Sequence, residues 1–155
     1  MSLSMITDRT ATDVNTSKTL RLKIQAGKTL TDSETQAFER GACTNTMLNR
    51  IESAQKELAG LLNKYGYFVT IQNKIDWSIN DIFDYSNYMR LLGNLNKLKN
   101  AFYVYSTTPE TPVYMYGYQE ANRIEKILVD IESNINYMKS KFRQCGTFDC
   151  GEVNE

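Results

Sequence analysis

A chain of 155 residues with 41% hydrophobic and 23% charged side chains is long enough to bury one core, and reads as a single globular domain. Its 18 Lys and Arg are balanced by 18 Asp and Glu, so it has no basic footprint for nucleic acid or an anionic membrane surface. It contains no histidine, which removes the commonest general base and the commonest metal ligand.

Three cysteines, Cys43, Cys145 and Cys150, are an odd count that does not build the even framework of a small secreted disulfide scaffold; a reducing interior fits better. There is no basic region followed by an apolar run at the N-terminus, and no apolar stretch long enough to span a bilayer. Met1, Ser2 and Leu3, ahead of Ser4 and Met5, read as an expression leader with Met5 as the native start. Residues 1–5 are therefore set aside, and 6–155 are taken as one domain with a short tail, 146–155.

Residues 6–27 predict a first helix of weak amphipathicity, with Asp8, Thr10 and Asp13 suited to its cap and first turn and Gly27 to its stop. Thr31 and Glu34 have the spacing of a capping box and open a short helix through Phe38 that ends at Gly41. The spacing of Met47, Ile51, Ala54, Leu58, Leu61 and Tyr65 predicts a long helix over 44–65 with one apolar seam, stopped by Gly66. Glu52 and Lys56 read as an ion pair on its outer face.

Residues 67–71, rich in β-branched and aromatic side chains, suit a strand, for which the tail around Gly146 to Gly151 is the candidate partner. A second long helix begins at Asp84 or Ser86 and runs to Val104, with Tyr88, Leu91, Leu95, Leu98, Phe102 and Tyr105 at heptad spacing. Pro109 and Pro112 then impose an extended loop. Ala121, Ile124, Leu128, Ile131, Ile135, Met138 and Phe142 form the clearest ladder, on a third long helix over 118–142. Glu120 near its start and Lys139, Lys141 and Arg143 near its end match the helix dipole. The fold class expected is all-α: an antiparallel bundle of three long helices joined by short reversals, with one or two short N-terminal helices and a minor two-stranded β element.

Candidate chemistry is sparse. Asp76, Ser78 and Asn80 match the first alternating ligands of a calcium loop, but Asp81 stands where glycine is needed and Asn87 where a bidentate glutamate is needed. That stretch reads instead as a cap by Ser78 with Asp81, or by Asp84, with Trp77 as an apolar anchor. Two positioned carboxylates would suffice for glycoside hydrolysis, yet no spacing singles out a pair, and Glu125, Asp130 and Glu132 read as a solvated face. Cys145 and Cys150 have no second pair to complete a zinc site. No metal or cofactor is expected. Tyr103, Tyr105, Tyr114, Tyr116 and Tyr118 crowd the flanks of the proline loop and, with Trp77, are the candidate partner-binding residues; the bland alternative is that the rings close one end of the bundle.

Several segments resemble, in order, a family of small helical proteins from phages and prophages of Gram-positive bacteria, associated with tail and baseplate genes. These are Asp8-Arg9-Thr10 with Asp13-Val14, then Leu48-Asn49-Arg50-Ile51-Glu52, then Asp76-Trp77-Ser78 with Asp81-Ile82. The last third carries the most: Glu120-Ala121-Asn122, Ile124-Glu125-Lys126-Ile127-Leu128, Asp130-Ile131-Glu132, and Phe142-Arg143 through Gly146-Thr147-Phe148 to Gly151-Glu152. The family ending often has serine where this chain has Cys145 and Cys150. The resemblance implies no enzymatic activity and no catalytic residues. It implies a structural or interaction protein of a virion, met in the particle or in the host bacterial cytoplasm during assembly. Its partners would be other phage structural proteins or further copies of itself, not nucleic acid or membrane. The competing expectation is a carbohydrate-binding module or weak glycan hydrolase of the bacterial surface, using the aromatics and the Asp76 to Asp84 cluster.

Overall fold

Four of the five helices among the described residues begin where a Thr or Asp side chain accepts a backbone N–H. The structure, a computed structural model, describes residues 3–114 and 117–141, and these hold five α-helices and no strand. Thr10 and Asp13 form a reciprocal capping box that opens α1, Ala11–Gln25, and Thr31 and Glu34 form a second that opens α2, Asp32–Gly41. Thr44 accepts Met47 N–H (3.2 Å) at the start of α3, Asn45–Lys64, and Asp84 accepts Asn87 N–H (2.9 Å) at the start of α4, Tyr85–Ala101. The last helix is α5, Tyr118–Lys141. Gly27 and Gly66 follow α1 and α3 with φ of 74° and 88°, left-handed backbone that glycine adopts without strain. Relative to expectation, α1 starts later because the box at Thr10 sets its first turn. Likewise α4 ends earlier, because Phe102 is already extended at φ −142°, ψ 160°.

The three heptad seams are buried over most of their length, with Leu62 taking the buried place expected of Leu61; Tyr65, Phe102 and Met138 are partly buried, Tyr105 beyond α4 is exposed, and Phe142 lies outside the described residues. Leu58 and Leu62 of α3, Leu95 and Leu98 of α4, and Ile124, Leu128, Ile131 and Ile135 of α5 are wholly inaccessible and belong to one hydrophobic cluster. At about 1.5–3 kcal/mol for each large aliphatic side chain, this cluster is the main favourable term of the fold. Each of α3, α4 and α5 packs against the other two, whereas α1 packs principally against α2.

The direction of the long helices departs from the expected antiparallel order. Glu52 of α3 meets Arg90 of α4, and Gln55, one turn on, meets Leu91 and Asn94, so the two helices advance together. One end of the assembly gathers Met47, Tyr118 and Ala121 around a cavity, near the starts of α3 and α5. The other gathers Tyr67, Phe102, Asn134 and Met138, just past α3 and α4 and late in α5. All three therefore run the same way, and the connections cross back over the full length of the helices. Residues 65–84 can do so because extended chain advances about 3.3 Å per residue, ample to retrace the roughly 30 Å of α3.

The returning segment is fastened to the helices by side chains. Asn63 accepts Val69 N–H (2.7 Å) and donates to its carbonyl. Further along, Asn94 accepts Gln72 N–H (3.2 Å), Glu52 accepts Lys74 N–H (2.7 Å), and Asn49 accepts Trp77 N–H (2.7 Å). Helix side chains thus replace the missing neighbour strand, which is why residues 67–71 are extended without belonging to a sheet. The tail proposed as their partner, 146–151, lies outside the described residues. Residues 3–5, set aside in the sequence reading, take part in the fold: Leu3 and Met5 pack against the core.

Candidate functional site

Trp77, expected at a partner surface, is 5% exposed. Its indole Nε1–H donates to Glu52 Oε1 (2.9 Å), its carbonyl accepts from Asn49 (2.9 Å), and its ring meets Phe83 edge-on at 5.6 Å. It anchors the returning segment, and an unpaired indole N–H would have been costly to bury otherwise. Lys74 stands over the ring at 5.1 Å and also pairs with Asp76 and Asp81. Asp81 accepts Ser78 N–H (2.7 Å), which together with the Ser78 hydroxyl holds its carboxyl below the usual range. Asp81 closes the turn at Ser78, Asp84 caps α4, and Asp76 and Asp81 come together only at the Lys74 ammonium.

The tyrosines do not form one patch, because Phe102 and Gly117 stand at opposite ends of the long helices. Tyr103 and Tyr105 lie just beyond α4. With Tyr67, Phe102, Tyr137 and Met138 they line a groove of about 440 Å³. Tyr67 and Phe102 pack edge-to-face with centroids 4.7 Å apart, and Asn134 donates to the Tyr103 carbonyl (2.9 Å), which fixes the wall. Tyr103 is 70% exposed. Tyr118 sits at the opposite end, lining a cavity of about 210 Å³ with Arg9, Cys43, Met47 and Ala121. Tyr114 is exposed beside Val113, and Tyr116 lies outside the described residues. Cys43 is a free thiol, while Cys145 and Cys150 lie outside the described residues.

The carboxylates taken as a solvated face prove to be interior. Glu125, Asp130 and Glu132 are all buried, as is Glu52, which bonds Arg90 across the helix interface instead of Lys56 on the outside. The Glu52 carboxylate raises the Arg90 guanidinium above its ordinary value, against the opposing pull of burial. Glu125 is shared between Arg9 (2.5 Å) and Arg50 (2.8 Å). Sequence reasoning passed over these arginines and over Asn49, Asn94 and Asn122. The available signal was position: Glu125 and Glu132 each follow a seam isoleucine by one residue and sit at its margin.

Tyr88, within the α4 seam, has its hydroxyl buried with no hydrogen-bond partner among the described residues. Burial, with a smaller push from Glu120, raises it to about 12. Among the described residues no group of His, Cys, Asp and Glu is arranged to hold a metal ion, and no helix is long and apolar enough to cross a membrane. Comparison of the chain with protein-family models, with curated proteins and with solved structures finds no match.

Proposed function

We propose that the protein is a non-enzymatic structural or interaction protein of a phage or prophage particle, of the tail or baseplate, working through protein contacts. The carrying observation is the rigid aromatic groove of Tyr67, Phe102, Tyr103, Tyr105 and Tyr137 beside a well-packed helical core. Exposed rings held on a stiff frame lose little side-chain freedom when a neighbour covers them, which favours protein contacts. The assignment to a phage particle rests on the ordered resemblance across the chain. In this reading α3, α4 and α5 form a parallel bundle that serves as scaffold, and the groove and the exposed turn at Ile79 and Ile82 face a neighbour. The glycan-binding alternative is weakened by Trp77, whose ring is committed to the interior.

The test is detection of the protein, by mass spectrometry, in complete particles purified from the source strain after induction. A fixed copy number per particle is the expected result. Its absence from particles while abundant in the lysate would reject a virion component.

A further inference from the structure

Residues 3–9 run along α5 in the opposite sense as non-helical chain, with one tight turn where the Leu3 carbonyl accepts Met5 N–H (3.1 Å). Leu3 N–H donates to Glu132 (3.0 Å), Ile6 N–H to Glu125, and Arg9 N–H to Asn122 Oδ1 (3.1 Å), while Asn122 Nδ2 donates back to the Arg9 carbonyl (2.9 Å). A helix has no free backbone edge, so a non-helical chain beside it must be satisfied by side chains. Here α5 offers Asn122, Glu125 and Glu132, spaced by three and seven and therefore on one face.

Arg9 locks the register. Its guanidinium donates to Glu125 (2.5 Å), to the Ile6 carbonyl (2.5 Å) and to the Arg40 carbonyl (3.0 Å) at the end of α2. We propose that this face of α5 is a binding site for a non-helical peptide, filled here by the chain's own arm and open to the same segment of a second copy.

Three observations carry the proposal. First, most contacts to α5 run to the arm's main chain, and the side-chain requirements toward α5 and the core reduce to Leu3, Met5 and Arg9, since Asp8 pairs with Arg40 of α2. The ligand chemistry is thus a non-helical stretch with an apolar residue at its first and third positions, a free N–H at its fourth and arginine at its seventh. Second, Glu125 is wholly buried and would keep only Arg50 if the arm left. A buried carboxylate that loses one of its two guanidinium partners is destabilised, so the arm departs when another guanidinium arrives, which favours exchange over simple opening. Third, α1 packs principally on α2, and Arg9 bonds the α2 end, so the hairpin travels with the arm without dismantling the core. The inference does not depend on the particle assignment.

The test uses the full chain carrying Arg9→Ala and a fluorescent acetylated peptide spanning residues 3–10. Loss of Arg9 lowers occupancy by the resident arm, so the variant takes up the peptide about tenfold or more tightly than the unmodified chain, following the fraction of free site. The same peptide with Arg9→Ala does not bind. Ile6→Pro, which deletes the N–H that Glu125 accepts, gives a second full-length chain with a loosened arm and the same expected gain. A well-folded variant that takes up no peptide overturns the proposal. So does a pair of variants that both fail to fold and are not rescued by peptide, because the arm is then a fixed part of the fold.

Discussion

Glu52 collects the Trp77 indole, the Lys74 amide and the Arg90 guanidinium on one inaccessible carboxylate, tying α3 to α4 and to the segment between them. Removing it takes the carboxylate partner from a partly buried arginine and the acceptor from a buried indole N–H together. Glu52→Ala is therefore expected to cost about 3–5 kcal/mol in urea unfolding, with Glu52→Gln intermediate because one carbonyl oxygen still accepts. Tyr88 gives the opposite sign. Its buried hydroxyl has no hydrogen-bond partner among the described residues, so Tyr88→Phe is expected to stabilise by about 1 kcal/mol at neutral pH, read by the same titration. At the residue scale the sequence was least legible for charge. The pairing of Glu52 with Lys56 is local and visible, whereas that with Arg90 joins two helices and has no signature in spacing.

Caps and seams were the legible part of the elements, because both depend on neighbours within a few positions. Thr10, Thr31, Thr44 and Asp84 begin helices as their residue types suggest, and the seam leucines and isoleucines other than Leu61, whose place Leu62 takes, are buried as their period requires. Glycine needed the third dimension. Gly41 was legible as a helix stop, but a Cβ there would lie 2.1 Å from the Asp13 carbonyl oxygen, so its bareness is what lets α2 approach α1. Gly41→Ala should cost about 1–3 kcal/mol by forcing that backbone apart. Gly60, inside α3 with nothing within 4 Å of an added Cβ, should respond oppositely: Gly60→Ala should stabilise by about 0.5–1 kcal/mol. Thermal unfolding of the two variants side by side checks both signs.

For the molecule as a whole, hydrophobic period reports which face of a helix is buried and says nothing about which way the helix points. The expected antiparallel order came from treating 65–84 and 102–117 as short reversals, and the asparagines that fasten the first of them carried no recognised pattern. Spin labels decide the matter in solution. Labels replacing Lys64 and Lys139 should give a short distance, being at the same end, while labels at Asn45 and Lys139 should lie about 30 Å apart, a helix length. The reverse ranking would restore the antiparallel order. The common direction of α3, α4 and α5 also has an electrical result. Each helix contributes about half a positive charge at its start and half a negative charge at its end, and here these add instead of cancelling. Lys64, Lys99, Lys139 and Lys141 in the last turns offset part of the negative pole, and Asp84 at the α4 cap and Glu120 in the first turn of α5 offset part of the positive one, while α3 begins with no acidic residue. A chain of zero formal charge is thus a polar rod. Two such rods feel each other's orientation only within the roughly 10 Å screening length of ordinary salt, where they favour stacking end to end or lying side by side in opposite senses.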